Sequence, residues 1–192
     1  MNKICFVTGN KNKLREVQKL LFSYHLLSLD DLDFSDDIPE TEDTIDGNAF
    51  LKADHIHKKF GLSCFSDDTG LFIESLGGKP GVKSARFAGN NCDSEDNISL
   101  VLKKLRGIEN RKAFFRTVIC LIVNGKVNYF HGEVKGQISK EKAGYKGFGY
   151  DPIFIPDGFN KTFSEFTLDE KNELSHRAIA VNKLVNFLNG YK

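Results

Sequence analysis

The sequence predicts an α/β protein built on a mixed β-sheet flanked by helices. Three observations carry this. Strand-like apolar runs alternate with segments of helical period along the chain. Asn124-Gly125 sits between two long apolar-rich segments, a strong short-range hairpin signal. Hydrophobic residues make up 40% and charged residues 28%, the balance of a globular chain. A length of 192 residues fits one domain, spanning 1–192, that has room for two lobes. Burying ~70% of its unfolded surface, such a chain needs no disulfide or structural metal to fold.

The elements follow in order. Lys3–Val7 reads as a buried strand, and the polar turn Thr8-Gly9-Asn10-Lys11-Asn12 leads into a helix with Leu14, Val17 and Leu20/Leu21 inward. Tyr24–Leu29 alternates as a second strand. Asp30 to Asp46 holds nine acids and no base, a strongly electronegative loop. Asn48–Phe60 is a helix with the stripe Ala49, Ala53, Ile56 and Phe60. Leu62–Ser66 is a short strand running into Asp67-Asp68, after which Thr69-Gly70 is expected to turn the chain. Gly77–Gly81 is a tight turn, and Ser94–Leu105 a helix. Ala113–Val123 and Lys126–Val134 form the hairpin. Thr167-Leu168-Asp169-Glu170 is a capping box for a last helix that buries Ala178, Val181, Leu184, Val185 and Leu188.

Composition excludes several functions. Lys and Arg number 27 against 26 Asp and Glu, so no global field draws the chain to nucleic acid or to an anionic membrane. The longest apolar run, Val118 to Val123, is too short to span a bilayer, and the N-terminus has no signal-peptide core. The four cysteines, Cys5, Cys64, Cys92 and Cys120, have no metal-ligand spacing and read as reduced thiols of a cytoplasmic protein.

Four constellations can carry chemistry. Thr8, Asn10 and Asn12 precede or open a helix, where free N–H groups and the dipole favour an anion. Lys11 and Lys13 add charge there against the helix's own preference, which suggests a bound anion; a capped helix start with solvated lysines is the plain alternative. Asp67-Asp68 is the strongest single feature: two neighbouring carboxylates repel unless a cation offsets them, and oxygen ligands alone suit Mg²⁺ rather than zinc. In a continuing strand only one of the two would aim into a site. Glu40 is one of the nine loop acids, any of which could complete a metal site. Lys52, four residues after Asn48, shares its helix face and is either a solvated lysine or a phosphate ligand. In Gly147-Phe148-Gly149-Tyr150-Asp151-Pro152 the glycines leave Phe148 unshielded, so it is either a stacking platform for a flat base or a core aromatic beside a turn. Extended chain would put Tyr150 on the same side as Phe148, and Asp151 could accept a ring N–H. Lys171, His176 and Arg177 lie before or at the start of the last helix.

Taken together, Thr8-Gly9-Asn10-Lys11-Asn12-Lys13-Leu14, Ile38-Pro39-Glu40-Thr41, Gly47-Asn48-Ala49 with Lys52-Ala53, Ser66-Asp67-Asp68-Thr69-Gly70-Leu71, Leu76-Gly77-Gly78-Lys79-Pro80-Gly81, Phe148-Gly149-Tyr150-Asp151-Pro152 and Ser175-His176-Arg177 resemble the inosine/xanthosine triphosphate pyrophosphatases. The match runs in order along nearly the whole chain. It implies an elongated mixed sheet with two lobes and the active site in the cleft between them, a homodimer, Mg²⁺ dependence, and hydrolysis of ITP, dITP and XTP to monophosphate and pyrophosphate. It implies that Glu40, Asp67 and Asp68 hold the metal and that Asp68 is also the catalytic proton acceptor. It implies substrate binding by Thr8, Gly9, Asn10, Lys11, Asn12, Lys13, Lys52, Thr69, Phe148, Gly149, Tyr150, Asp151, Lys171, His176 and Arg177. Thr69 stands where many members carry serine and keeps the hydroxyl; Gly47 stands where many carry glutamate. The rival readings are a nucleotide pyrophosphatase of other base preference and a nucleotide sensor without turnover. Retaining both aspartates beside a phosphate site argues against the sensor.

Overall fold

A computed structural model describes residues 3–36 and 38–190. Asp37, one of the nine acids of the electronegative stretch, lies outside them. The strands are β1 (Lys3–Val7), β2 (His25–Leu27), β3 (Cys64–Ile73), β4 (Pro80–Gly81), β5 (Lys112–Val123), β6 (Lys126–Ile138) and β7 (Phe154–Pro156). The helices are α1 (Lys11–Leu20), α2 (Ile45–Phe60), α3 (Ser94–Lys104), α4 (Leu168–Leu174) and α5 (His176–Gly190). The strands form one mixed sheet in the order β2-β1-β3-β5-β6-β7, with β4 added to β3. β1 runs parallel to both β2 and β3, whereas β4 and β7 run antiparallel to β3 and β6. The expected fold class is the one observed. Among the described residues no helix is long and apolar enough to cross a membrane.

Contacts divide the chain into two compact units. The first comprises 1–68, 117–132 and 177–192, the second 69–116 and 133–176. The first has its own core of Ile4, Phe6, Val17, Leu21, Phe65, Ile119, Leu121, Val181 and Leu184, all essentially sealed from solvent. Phe6 and Phe65 are register partners on β1 and β3, and their rings stack at 4.6 Å. The second unit packs Leu71, Ile73, Ile98, Val101, Leu105, Phe115, Phe154 and Phe163.

Local signals explain most boundaries. Asn124 and Gly125 both take positive φ, 49° and 71°, the pair a two-residue hairpin turn of matching twist requires. Thr167 and Glu170 form the expected reciprocal cap at the start of α4. α2 begins three residues earlier than its apolar stripe suggests, because Thr44 caps the Gly47 N–H at 3.0 Å.

Four expectations are corrected. Thr69-Gly70 does not turn the chain: β3 continues through it for ten residues. Glycine is needed at 70 for close approach, since a Cβ there would come within 2.8 Å of the Gly81 carbonyl oxygen and of the Phe72 ring. The second strand is limited to His25–Leu27. The last helix is two helices, broken where Ser175 takes an extended conformation with ψ 154°. Residues 145–150 form turns rather than extended chain, with Gly147 and Gly149 at φ 75° and 58°, so Phe148 and Tyr150 part company.

Candidate active site

In the first unit the register of the parallel strands starts the site. Val7 pairs with Ser66, so β1 ends beside the point where β3 reaches Asp67. On α2, Ala49 and Ala53 are fully buried and allow the helix to lie close: their carbonyls accept hydrogen bonds from the Ser66 hydroxyl and, at 3.2 Å, from the Cys64 thiol. That contact sets Lys52 over the end of β3. Its Nζ donates to Glu40 Oε1 at 2.6 Å and to Asp68 Oδ1 at 3.3 Å. One ammonium group therefore joins the two carboxylates.

Asp67 and Asp68 point apart, as neighbours on a strand must. Asp67 is sealed in the interior, with Oδ1 accepting from Lys13 Nζ at 2.9 Å and Oδ2 from Arg177 Nε at 3.0 Å. Burial alone would raise its carboxyl, but Lys13 and Arg177 hold it well below the usual carboxylate range. Arg177, at the start of α5 and 2% exposed, also donates to Glu16 of α1. Asp68 has the opposite balance. Burial, with Glu40 and Asp67 nearby, pushes its carboxyl up against the pull of Lys52 and Lys13. Its Oδ2 is buried and has no hydrogen-bond partner among the described residues. The same carboxylates raise Lys52 above the ordinary lysine value, although burial opposes them.

The turn after β1 is already organised. Thr8 Oγ1 accepts the Asn10 N–H at 3.2 Å, and Asn10 Oδ1 accepts those of Asn12 and Lys13 at 2.9 and 3.2 Å. Two of the donors expected to face an anion are thus capped by Asn10 itself. Gly9, Lys11 and Asn12 are exposed, and Lys13 alone of this turn reaches the carboxylates.

A second group of expected residues gathers in the second unit. Asp151 Oδ2 accepts from Lys171 Nζ at 2.6 Å and from the Phe148 N–H at 2.9 Å, which folds residues 147–151 over a buried ion pair. Gly147 suits the turn on two counts, since its φ is 75° and a Cβ there would collide with the Asp151 carboxylate. Lys171 Nζ lies 5.0 Å from the Phe148 ring centroid, within cation–π range. Phe148 is half-buried, with Gly149 beside it, whereas Tyr150 belongs to the core and donates its hydroxyl to the Ser84 carbonyl at 2.8 Å. His176 packs against the Phe115 ring at 4.6 Å. Thr69 is the half-buried next residue of β3 after Asp68.

Sequence reasoning missed Glu16, the second partner of Arg177. Glu16 had a readable signal: with Lys13, Val17 and Leu20 it lies on the inward stripe of α1, where a solvated acid does not belong. Among the described residues no three acid, histidine or cysteine side chains are gathered as a ready-made metal cage. All four cysteines are free thiols, and only Cys92 is exposed.

The family model of the Ham1 family matches residues 4–187. The chain belongs to the Ham1 family. It is 49% identical over 191 residues, 99% of this chain and 100% of the relative, to a dITP/XTP pyrophosphatase of Flavobacterium johnsoniae. The solved Ham1 protein of Staphylococcus aureus superimposes with a TM-score of 0.90 at 35% identity, with 100% of both chains covered. The Ham1 protein of Coxiella burnetii gives 0.91 at 36%, covering 99% of this chain and 100% of that one. The motif resemblance in the sequence and this Ham1 membership agree.

Proposed function

We propose that the chain hydrolyses non-standard purine nucleoside triphosphates (ITP, dITP and XTP) to the nucleoside monophosphate and pyrophosphate, and so cleanses the nucleotide pool. The observation that carries this reading is the pair Glu40 and Asp68, joined by Lys52, with Asp68 Oδ2 buried and unpaired among the described residues. The name of the Flavobacterium relative, a dITP/XTP pyrophosphatase, supports the substrate class.

Two carboxylates rather than a full cage suit Mg²⁺, which keeps several waters and shares its remaining positions with substrate phosphates. Glu40 and Asp68 would hold it, and when bound it would neutralise charge that develops on the triphosphate. Asp67 is committed to Lys13 and Arg177, so its part is to fix the end of β3 from which Asp68 projects. Lys52 stays within reach of the same phosphates, and the turn Thr8-Gly9-Asn10-Lys11-Asn12-Lys13 adds a hydroxyl and two ammonium groups. Asp68 Oδ2 accepts the proton of the attacking water, which adds at the α-phosphorus while pyrophosphate leaves. No covalent nucleophile is required, since phosphoryl transfer rests on positioning and charge stabilisation. Phe148, braced by Lys171 and Asp151, offers the flat face for a purine. The resemblance extends the reading to a cytoplasmic homodimer.

The test is the Asp68→Asn variant with ITP. It should lose ~10²–10⁴ in kcat while retaining nucleotide binding, and the wild type should release pyrophosphate only when Mg²⁺ is supplied. Near-normal turnover by the variant, or nucleoside diphosphate and orthophosphate as products, would refute the assignment.

A further inference from the structure

Asn48 is fully buried in the first turns of α2, and both ends of its amide serve one backbone unit. Oδ1 accepts the Glu42 N–H at 3.0 Å, and Nδ2 donates to the Glu42 carbonyl at 3.2 Å. These two bonds fix the amide's orientation, because the reversed amide would set donor on donor and acceptor on acceptor. A loop residue whose N–H and C=O are both taken in this way is held as a strand residue is held by its neighbour. Gly47 makes the approach feasible: a Cβ there would come within 2.7 and 2.8 Å of Glu42 Cβ and Cγ. Gly47 and Asn48 together form a seat for the Glu42 segment on α2.

Glu40 lies two residues before the seated one. Lys52, which binds the Glu40 carboxylate, lies one helical turn after Asn48 on the same face of α2. One helix thus holds the loop twice, by its backbone through Asn48 and by its acid through Lys52. The ammonium contact can be exchanged when a cation enters. The amide contact has no such competitor.

We propose that Asn48 is a positioning residue for Glu40, fixing the loop backbone so that the Glu40 carboxylate stays opposite Asp68 when a divalent cation binds. The inference rests on the reading of Glu40 and Asp68 as the metal ligands. Removing an outer hydrogen-bond partner of a ligand commonly weakens metal binding by ~10–100-fold.

The experiment compares the wild type, Asn48→Ala, Glu40→Gln and the double variant. Mg²⁺ affinity of the nucleotide-free protein is read from the rise in melting temperature with Mg²⁺ concentration, and kcat with ITP is followed over the same range. Asn48→Ala should bind Mg²⁺ about tenfold more weakly and need about tenfold more for half-maximal rate, with a much smaller loss of kcat at saturating Mg²⁺. In the Glu40→Gln background it should have no further effect on Mg²⁺ affinity. If Glu40→Gln weakens Mg²⁺ binding but Asn48→Ala does not, or if the two effects multiply independently, the positioning role is overturned and the metal reading survives. If Glu40→Gln leaves Mg²⁺ affinity at the wild-type value, the metal reading fails and takes this inference with it. Asn48→Asp serves where the alanine variant does not fold. It keeps the volume and the acceptor for the Glu42 N–H but sets an oxygen against the Glu42 carbonyl, so wild-type Mg²⁺ affinity in that variant equally overturns the role.

Discussion

Asp67 and Asp68 are chemically identical neighbours in opposite surroundings, and the strand they share divides them. Consecutive side chains leave a strand on opposite faces. One carboxylate is turned to Lys13 and Arg177, the other to Lys52 with an oxygen to spare. Removing Asp67's charge would leave the buried Arg177 and the half-buried Lys13 facing an uncharged amide, and breaking a buried pair commonly costs about 3–5 kcal/mol. Asp67→Asn should therefore lower the urea midpoint far more than Asp68→Asn, while Asp68→Asn should dominate in kcat. Equal losses of stability in the two variants would contradict this division. At this scale the sequence was informative about residue identity and poor about commitment. The acid pair, Glu40, Lys13 and Lys52 were all singled out. That Lys171 and Asp151 are each other's buried partners depends on a contact that neither residue's local sequence encodes.

The elements best read in advance were those whose signals are local. The Asn124-Gly125 hairpin needs two adjacent residues of positive φ, and the Thr167–Glu170 cap needs side chains three apart. One failure comes from an interaction arriving from elsewhere in the chain. Gly70 looks like a turn residue, yet it stays in β3 because β4 and the Phe72 ring press against its α-carbon. A methyl group there has no room, so Gly70→Ala should destabilise the protein by about 1–3 kcal/mol, the usual range for an overpacked site. Urea denaturation would measure it, and an unchanged midpoint would contradict the tight approach. The break at Ser175 was hidden for a different reason: α4 and α5 are each good helical sequence, and no Gly or Pro marks the joint.

For the whole molecule, the sequence legibly announced an α/β sheet protein, and the resemblance along its length anticipated the Ham1 family. Two lobes were expected from the length and the resemblance, but which stretches make up each unit could not be read, since each is assembled from stretches far apart in the chain. Substrate choice is also a property of the whole, because every group that touches the nucleotide contributes to it. Hypoxanthine and xanthine carry an oxo group at the 6-position and a proton on N1, whereas adenine presents an amino group and a bare N1. A pocket built to pair with the first pattern leaves polar groups unsatisfied against the second, at ~1–3 kcal/mol each. ITP and XTP should therefore be turned over at least tenfold faster than ATP, measured as kcat/KM under one Mg²⁺ concentration. Equal values would end the claim. The link from Arg177 to Asp67 and Glu16 has a consequence of another kind. Asp67 takes one cation from α1 and the other from the start of α5, so a single buried carboxylate ties both helices to the end of β3. Pulling α5 away would strip that sealed charge of half its compensation, so the helix and the strand end should loosen together.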